Sequence, residues 1–202
     1  MYLKELHTLS CVIKQNKLYI FGGAVAEEGA SDKIIVGMLD EFGLITGWHT
    51  SSETLSIPRK GQYITEYNGQ IYVFGGIDAD DNYSDAVDIF NVDSETGDIN
   101  IDSSLSLSLD GLIKYVSFEN TTEESAVIEI ITANDTNLTF TQIDEVSGPN
   151  FSENYYEKLP NNVYFINSFI KSGNNIYSFW LTEEDSANYS YVSKFNLTDY
   201  QW

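Results

Sequence analysis

The stretch NGQIYVFGGIDADDNYSDAVDIFNVDSETG, Asn68 to Gly97, decides how the chain is read. Its Asn-Gly pair marks a tight turn. An apolar strand follows, then two glycines, an acidic loop, a second apolar strand and a Ser-Glu-Thr-Gly turn. The earlier run NKLYIFGG (Asn16 to Gly23) matches its first part, with Tyr19 and Tyr72 lying 53 residues apart. GNNIYSFW (Gly173 to Trp180) matches again and places Tyr177 a further 105 residues along, about two periods. The skipped copy falls near residue 125, where SAVIEIITAND (Ser125 to Asp135) reads as a strand that has lost the glycines.

The flanks keep the same period. Leu3, Leu55, Leu107 and Leu159 are spaced by 52 residues each time, and the module ends fall at Trp48, Ile99, Phe151 and Trp202. The chain therefore divides into modules at about 10–61, 62–111, 112–160 and 161–202, with 1–9 joining the last. The second module predicts four strands, QYITEYN, QIYVFGG, DAVDIFNV and DINIDSSLSLSL, and the alternation in SLSLSL puts Leu105, Leu107 and Leu109 on one face. Four short antiparallel strands recurring every ~50 residues are the pattern of β-propeller blades. The expected fold is all-β, a single propeller domain spanning residues 1–202. The segment Leu3 to Leu9 reads as a last strand, expected to complete the fourth blade, close a four-bladed ring and hide a sheet edge. The alternative is part of a larger propeller.

Here the residues resemble kelch repeats. Gly22 and Gly23 with Trp48 some 25 residues on match in the first module. Gly75 and Gly76 match in the second, preceded by Pro58 and Arg59, and Trp202 stands at the module position of Trp48. The run DEFGLITGWHTSSETLSIPRKGQYITEYNGQIYVFGG is similar to bacterial and phage kelch-like repeats. The likeness is concentrated in residues 10–100; Phe179 and Trp180 replace the glycines of the fourth copy. The matching tryptophans are expected to pack between blades, and Trp180 is the better candidate for a ligand-facing aromatic.

Composition limits the function. A net charge of −21 repels phosphate backbones and anionic membrane surfaces, so neither nucleic acid nor membrane is an expected partner. It favours a basic or cation-bridged protein partner, or serves as a solvated surface. The 14 Tyr and 11 Phe favour strands. Cys11 is the sole cysteine, so no internal disulfide forms, and its apolar run LSCVI predicts a buried thiol. No apolar run reaches the ~20 residues of a membrane span, and the start lacks a signal peptide, which leaves the cytoplasm or a virion as expected locations.

The densest carboxylate cluster is DADDNYSD, Asp78 to Asp85. Asp78, Asp80 and Asn82 alternate like the first ligands of a calcium loop, with Asp85 following, but no glycine and distal glutamate complete that pattern. Calcium is thus the only cofactor that comes into consideration. A copper oxidase centre fails for want of ligands, since His7 and His49 are the only histidines. A sialidase-type arginine cluster fails because Arg59 is the only arginine, and no nucleophile elbow is present. A sugar mutarotase or epimerase would need few groups, and Asp40, Glu41, Glu66 and Arg59 are the residues available to it. The Asn-x-Ser/Thr triplets read as turn composition.

The function expected from these features is non-enzymatic: a kelch-like propeller that docks a macromolecule, as a virion decoration or host-attachment component, with a surface glycan as a further partner. A cytoplasmic adaptor and the sugar enzyme are the alternatives. Binding is expected at loops 24–33, 77–86, 119–125 and 182–190, all on one side. The contact residues there are Glu27, Glu28, Asp32, Asp78, Asp80, Asp81, Asn82, Tyr83, Asp85, Glu183, Glu184 and Asp185.

Overall fold

The computed structural model describes residues 6–26, 28–107, 109, 111–122, 125–134, 137–144, 151–158, 163–184 and 187–202, except for the side chains of 6–7, 120–122, 125–126, 144, 151–158, 163–168, 180–184 and 187–189. All regular structure among them is β. The chain forms two compact units, Met1–Leu112 and Ile113–Trp202, and each holds two sheets.

In the first unit, β1 (Leu6–His7), β2 (Ser10–Lys14), β3 (Lys17–Phe21), β4 (Ala24–Val25), β5 (Gly29–Leu39) and β6 (Ile45–Lys60) build the first sheet, to which β9 (Ile77–Asp78) also pairs. The second sheet contains β7 (Tyr63–Tyr67), β8 (Gln70–Phe74), β10 (Ala86–Val92) and β11 (Ile99–Ser106), in the order β11-β10-β8-β7. The central strands β3 and β8 carry near-continuous apolar runs because both of their faces are covered. Tyr19, Phe21, Ile34, Val36 and Leu55 of the first sheet pack on Ile71, Val73, Phe90 and Ile99 of the second. Phe21 and Phe90 meet with ring centroids 5.4 Å apart.

β6 is much longer than β7 because it bulges against β5: Arg59 pairs with Ser31, but the next partners are Thr54 with Lys33 and Thr50 with Ile35. Bulged residues leave the ladder and turn their groups elsewhere. Here that frees Leu55 to enter the core and lets the Ser56 N–H donate to the Asp88 carboxylate at 2.9 Å. Leu55 and its repeat partner Leu107 are both buried, whereas Leu3 and Leu159 lie outside the described residues.

In the second unit, β12 (Leu112–Thr122), β13 (Ser125–Ala133), β14 (Asn137–Asp144) and β15 (Phe151–Lys158) form the third sheet in chain order. β16 (Val163–Ser172), β17 (Asn175–Glu184) and β18 (Ala187–Asn196) form the fourth. Ile131 and Phe140 of the third sheet pack on Ile176 and Phe195 of the fourth, and Trp202 lies 4.9 Å from the Phe195 ring beside this cluster.

Glu129 on β13 is buried and accepts hydrogen bonds from Ser117 Oγ at 2.6 Å and Lys171 Nζ at 3.0 Å. Burial raises its carboxyl above the ordinary value of 4.5, and hydrogen bonds from Ser117 and Gln142 oppose the rise. A folded value above the unfolded one contributes stability that is complete below the unfolded value and fades as pH rises through the folded value. Intrinsic-rate-corrected hydrogen exchange of β13 should therefore show more protection in mild acid than the neutral-pH trend of the other strands predicts. Glu129→Gln should remove that excess; an excess that survives the substitution would refute the assignment.

One expectation falls partly outside the described residues, and three need correction. Leu6 and His7 pair with Val25 and Ala24 of the first sheet, while Leu3 to Glu5, on which the expected closing of the fourth blade also rests, lie outside the described residues. Arg59 and Lys60 pair with Asp78 and Ile77 in the same way, 53 residues on, and the Gly61 N–H donates to the Thr8 carbonyl at 2.8 Å. The end of each such strand thus borders the following module's loop. Cys11 is exposed, because β2 is an edge strand whose residues alternate and Cys11 and Ile13 take the outward positions. Leu105 does not share a face with Leu107: the strand stops at Ser106, and an i→i+2 hydrogen bond from Leu109 to Leu107 turns the chain. Finally, loop 119–125 joins β12 to β13, first strand to second, so it lies at the opposite sheet end from loops 24–33, 77–86 and 182–190, which join second to third.

Candidate functional site

The double glycines build the acidic loops of the first unit. After β3 the Gly22 N–H donates to Lys33 O at 2.9 Å and the Gly23 N–H to Arg59 O at 3.0 Å. A Cβ on Gly22 would stand 2.4 Å from the Arg59 carbonyl, and one on Gly76 would stand 2.7 Å from that of Lys60. Both residues have positive φ, +53° and +107°. Glycine is needed because two backbones touch there and the turn is left-handed. Each loop then closes in the same manner. The Ser31 N–H donates to Gly23 O and the Ser84 N–H to Gly76 O, while each serine's Oγ accepts from the residue two positions on.

In the 77–86 loop, Asp78 Oδ1 accepts from the Asp80 and Asn82 N–H groups, both at 2.9 Å, and the Asp78 N–H donates to Asn82 O. Asp85 accepts from Ser106 Oγ at 2.5 Å, and Asp81 accepts from Lys60 Nζ at 2.7 Å. The loop is a rigid Asx turn that leaves Asp80, Asp81, Asn82, Tyr83 and Asp85 exposed. Its carboxylates do not converge: among the described residues no group of three His, Cys, Asp or Glu is placed to hold a metal ion. On the 24–33 loop Glu28 is exposed and Asp32 half-buried. Glu27 and Asp185, and the side chains of Trp180, Glu183 and Glu184, lie outside the described residues.

The groups considered for sugar chemistry are scattered. Asp40 caps its own hairpin by accepting from Phe42 and Leu44, and Glu66 pairs with Lys14 at 2.5 Å. Arg59 is fully buried. Its guanidinium bonds Asp88 at 2.9 Å and the Val73 carbonyl at 3.2 Å. Asp88 also accepts from Ser104 Oγ at 2.5 Å and from the Ser56 N–H. Burial would raise the Asp88 carboxyl, but the Arg59 charge and these hydrogen bonds outweigh it and hold the group below its ordinary 3.8. Burial lowers Arg59 against the opposing pull of Asp88. Arg59 therefore clamps β6 to β8 and β10 and presents no charge to a ligand. Trp48 is half-buried over Gly37, its cross-strand partner in the first sheet.

One cleft was not legible in the sequence. A space of about 340 Å³ lies between β6 and the start of β11, lined by His49, Thr50, Ser51, Ser52, Gly97, Asp98 and Asn100 over Val36 and Ile99. Below it, Tyr19 donates to the Gly97 carbonyl at 2.5 Å; burial, then the Asp98 charge, push the phenol up to about 12, so it stays a donor. The spatial pairing of residues 49–52 with 97–100 follows from how the two sheets pack, which no local motif announces.

No protein-family model matches the sequence, and no curated protein matches it. Among solved structures the chain is similar to that of YjhT, with a TM-score of 0.52 at 12% identity over 88% of this chain. The likeness is one of fold. It places this all-β chain of small antiparallel sheets beside a structure of β-propeller type, and the chain spans 60% of that structure's length. No helix of the described residues is long and apolar enough to cross a membrane.

Proposed function

We propose that the chain is a kelch-like propeller module that binds a basic macromolecular partner through the acidic loops following its double glycines. The observation that supports this is the loop at Asp78–Asp85, a hydrogen-bonded platform that exposes three carboxylates and a tyrosine, with one lysine beside them. Preorganised loops lose little entropy on binding, and an acidic field speeds the approach of a basic partner. The matching loop at 24–33 follows the same strand of the neighbouring sheet and extends the acidic end. The similarity to phage kelch-like repeats supports a setting in a large assembly, as a virion decoration or attachment component. Calcium enters this reading as a bridge between loop and partner.

The test is a titration with a fluorescent oligolysine peptide at low and at moderate salt, with and without calcium. Binding should weaken as salt rises, and Asp80→Asn/Asp81→Asn/Asp85→Asn should weaken it by about tenfold at low salt. Binding that ignores both salt and these substitutions would refute the acidic-loop reading, and calcium-dependent binding would establish the bridge.

A further inference from the structure

The cleft of about 340 Å³ between β6 and the start of β11 is lined wholly by residues of the first unit. Its volume lies within the ~300–1,000 Å³ of small-molecule sites. Val36 and Ile99 form its floor, and both are buried in the core shared by the first two sheets. Gly97 beside them is fixed by the Tyr19 hydroxyl, which donates to its carbonyl, and by the Lys17 stem, whose Cδ and Cε would stand 3.0 Å from a Cβ at that position. The base of the cleft is therefore rigid.

The β6 wall comes from a bulge. Lys33 pairs with Thr54 and Ile35 with Thr50, so Ser51, Ser52 and Glu53 stand against Ile34 alone. Bulges re-aim side chains and recur beside ligand sites. The Ser51 Oγ accepts from the Glu53 N–H at 3.0 Å and holds this one in shape. Among the described residues the side chains of His49, Thr50, Ser52 and Asn100 make no hydrogen bond, although all of them line the cleft. The fold does not require those groups to be free. The counterparts of Thr50 and Ser52, 52 residues on, are Asp102 and Ser104. Asp102 accepts from Asn91 Nδ2 at 2.8 Å, and Ser104 Oγ donates to Asp88 at 2.5 Å. In the second sheet these positions fasten the sheet to itself; in the first they are left to meet a ligand.

Charge narrows the ligand. The lining contains no lysine or arginine, and its one carboxylate, Asp98, lies 3.7 Å from the nearby Lys17 Nζ. A phosphate or carboxylate thus finds no lysine or arginine free to hold it. The hydroxyls of Thr50 and Ser52 and the amide of Asn100 each both donate and accept, and they stand over a small apolar floor. A sugar ring has the matching surface, since its hydroxyls need both roles and its C–H face is apolar.

We propose that this cleft binds a neutral sugar, with Thr50, Ser52 and Asn100 bonding its hydroxyls, Asp98 accepting from a further one, and the ring lying over Val36 and Ile99. The site is separate from the acidic loops and does not depend on what they bind.

An amide-resolved NMR titration of the full chain with the methyl glycosides of glucose, galactose, mannose and N-acetylglucosamine tests this. Each is taken to about 50 mM, where a site of ~1 mM affinity saturates. At least one glycoside should shift the amides of residues 49–52 and 97–100 saturably, and moderate salt should not weaken its binding. Thr50→Val/Asn100→Leu should weaken it by about tenfold or more while leaving the circular-dichroism spectrum unchanged. Ser52→Phe, which fills the cleft, should do the same. Asp80→Asn/Asp81→Asn/Asp85→Asn should leave sugar binding unaltered, which separates this site from the acidic loops. No saturable shift with any of these glycosides, shifts confined to other residues, or binding that survives both cleft variants would overturn the proposal.

Discussion

Asp88→Ala should lower the unfolding free energy by about 3–5 kcal/mol, the range for removing one partner of a buried ion pair. The substitution strands the Arg59 guanidinium in a site where its side chain has no exposure and its Nε already lacks a partner. It also removes the acceptor of Ser104 and of the Ser56 N–H, so the bulge of β6 loses its anchor. Replacing both charges, as in Arg59→Met/Asp88→Leu, should recover most of the loss, since well-packed apolar pairs of similar volume are often neutral. Urea unfolding of the two single variants and the double variant decides it; independent, additive effects would mean the pair is not coupled. The acid limb gives a second reading. The folded carboxyl lies below the unfolded one, so its stability is present above the ordinary 3.8 and lost as pH falls through the folded value. In Asp88→Asn that part of the acid dependence should vanish.

Gly22→Ala is expected to be nearly as damaging. A left-handed alanine costs roughly 1–2 kcal/mol, and overpacking adds roughly 1–3. Here the new methyl overlaps a backbone carbonyl, which cannot rotate away as a side chain can. Gly29→Ala is the control: its φ is +83° and nothing lies within 4 Å, so only the first cost applies. Thermal unfolding that gave equal losses for the two would show that the contact between Gly22 and the Arg59 backbone contributes little.

The strands of the second module were legible because each is bounded by a turn of known chemistry, such as Asn68-Gly69 or the Asp93 turn. The double glycines were legible as a motif. Their reason was not: they make room for the backbone of Arg59 to Gln62, a long-range partner no local window contains. Arg59 was visible as the sole arginine, but a charged residue in a sequence reads as exposed, and only the packing of β6 on the second sheet buries it. Cys11 failed for a related reason. An apolar run of five residues does not reveal which strand will be the edge. The acidic loop was legible in composition, whereas the separate engagement of Asp78, Asp81 and Asp85 depends on partners at Lys60 and Ser106.

The bordering of each loop by the strand end before it has a consequence for how this chain can be cut or recombined. The period that evolution copied and the unit that holds together are out of phase. A fragment beginning at residue 62 would contain every strand of the second sheet but lack Arg59 and Lys60, and with them the clamp on Asp88, the strand beside β9 and the cation beside Asp81. A transplantable module begins upstream, at Leu55, where the bulge of β6 leaves its own sheet. A graft made there carries its fastening with it, and one made at the repeat boundary leaves the fastening behind.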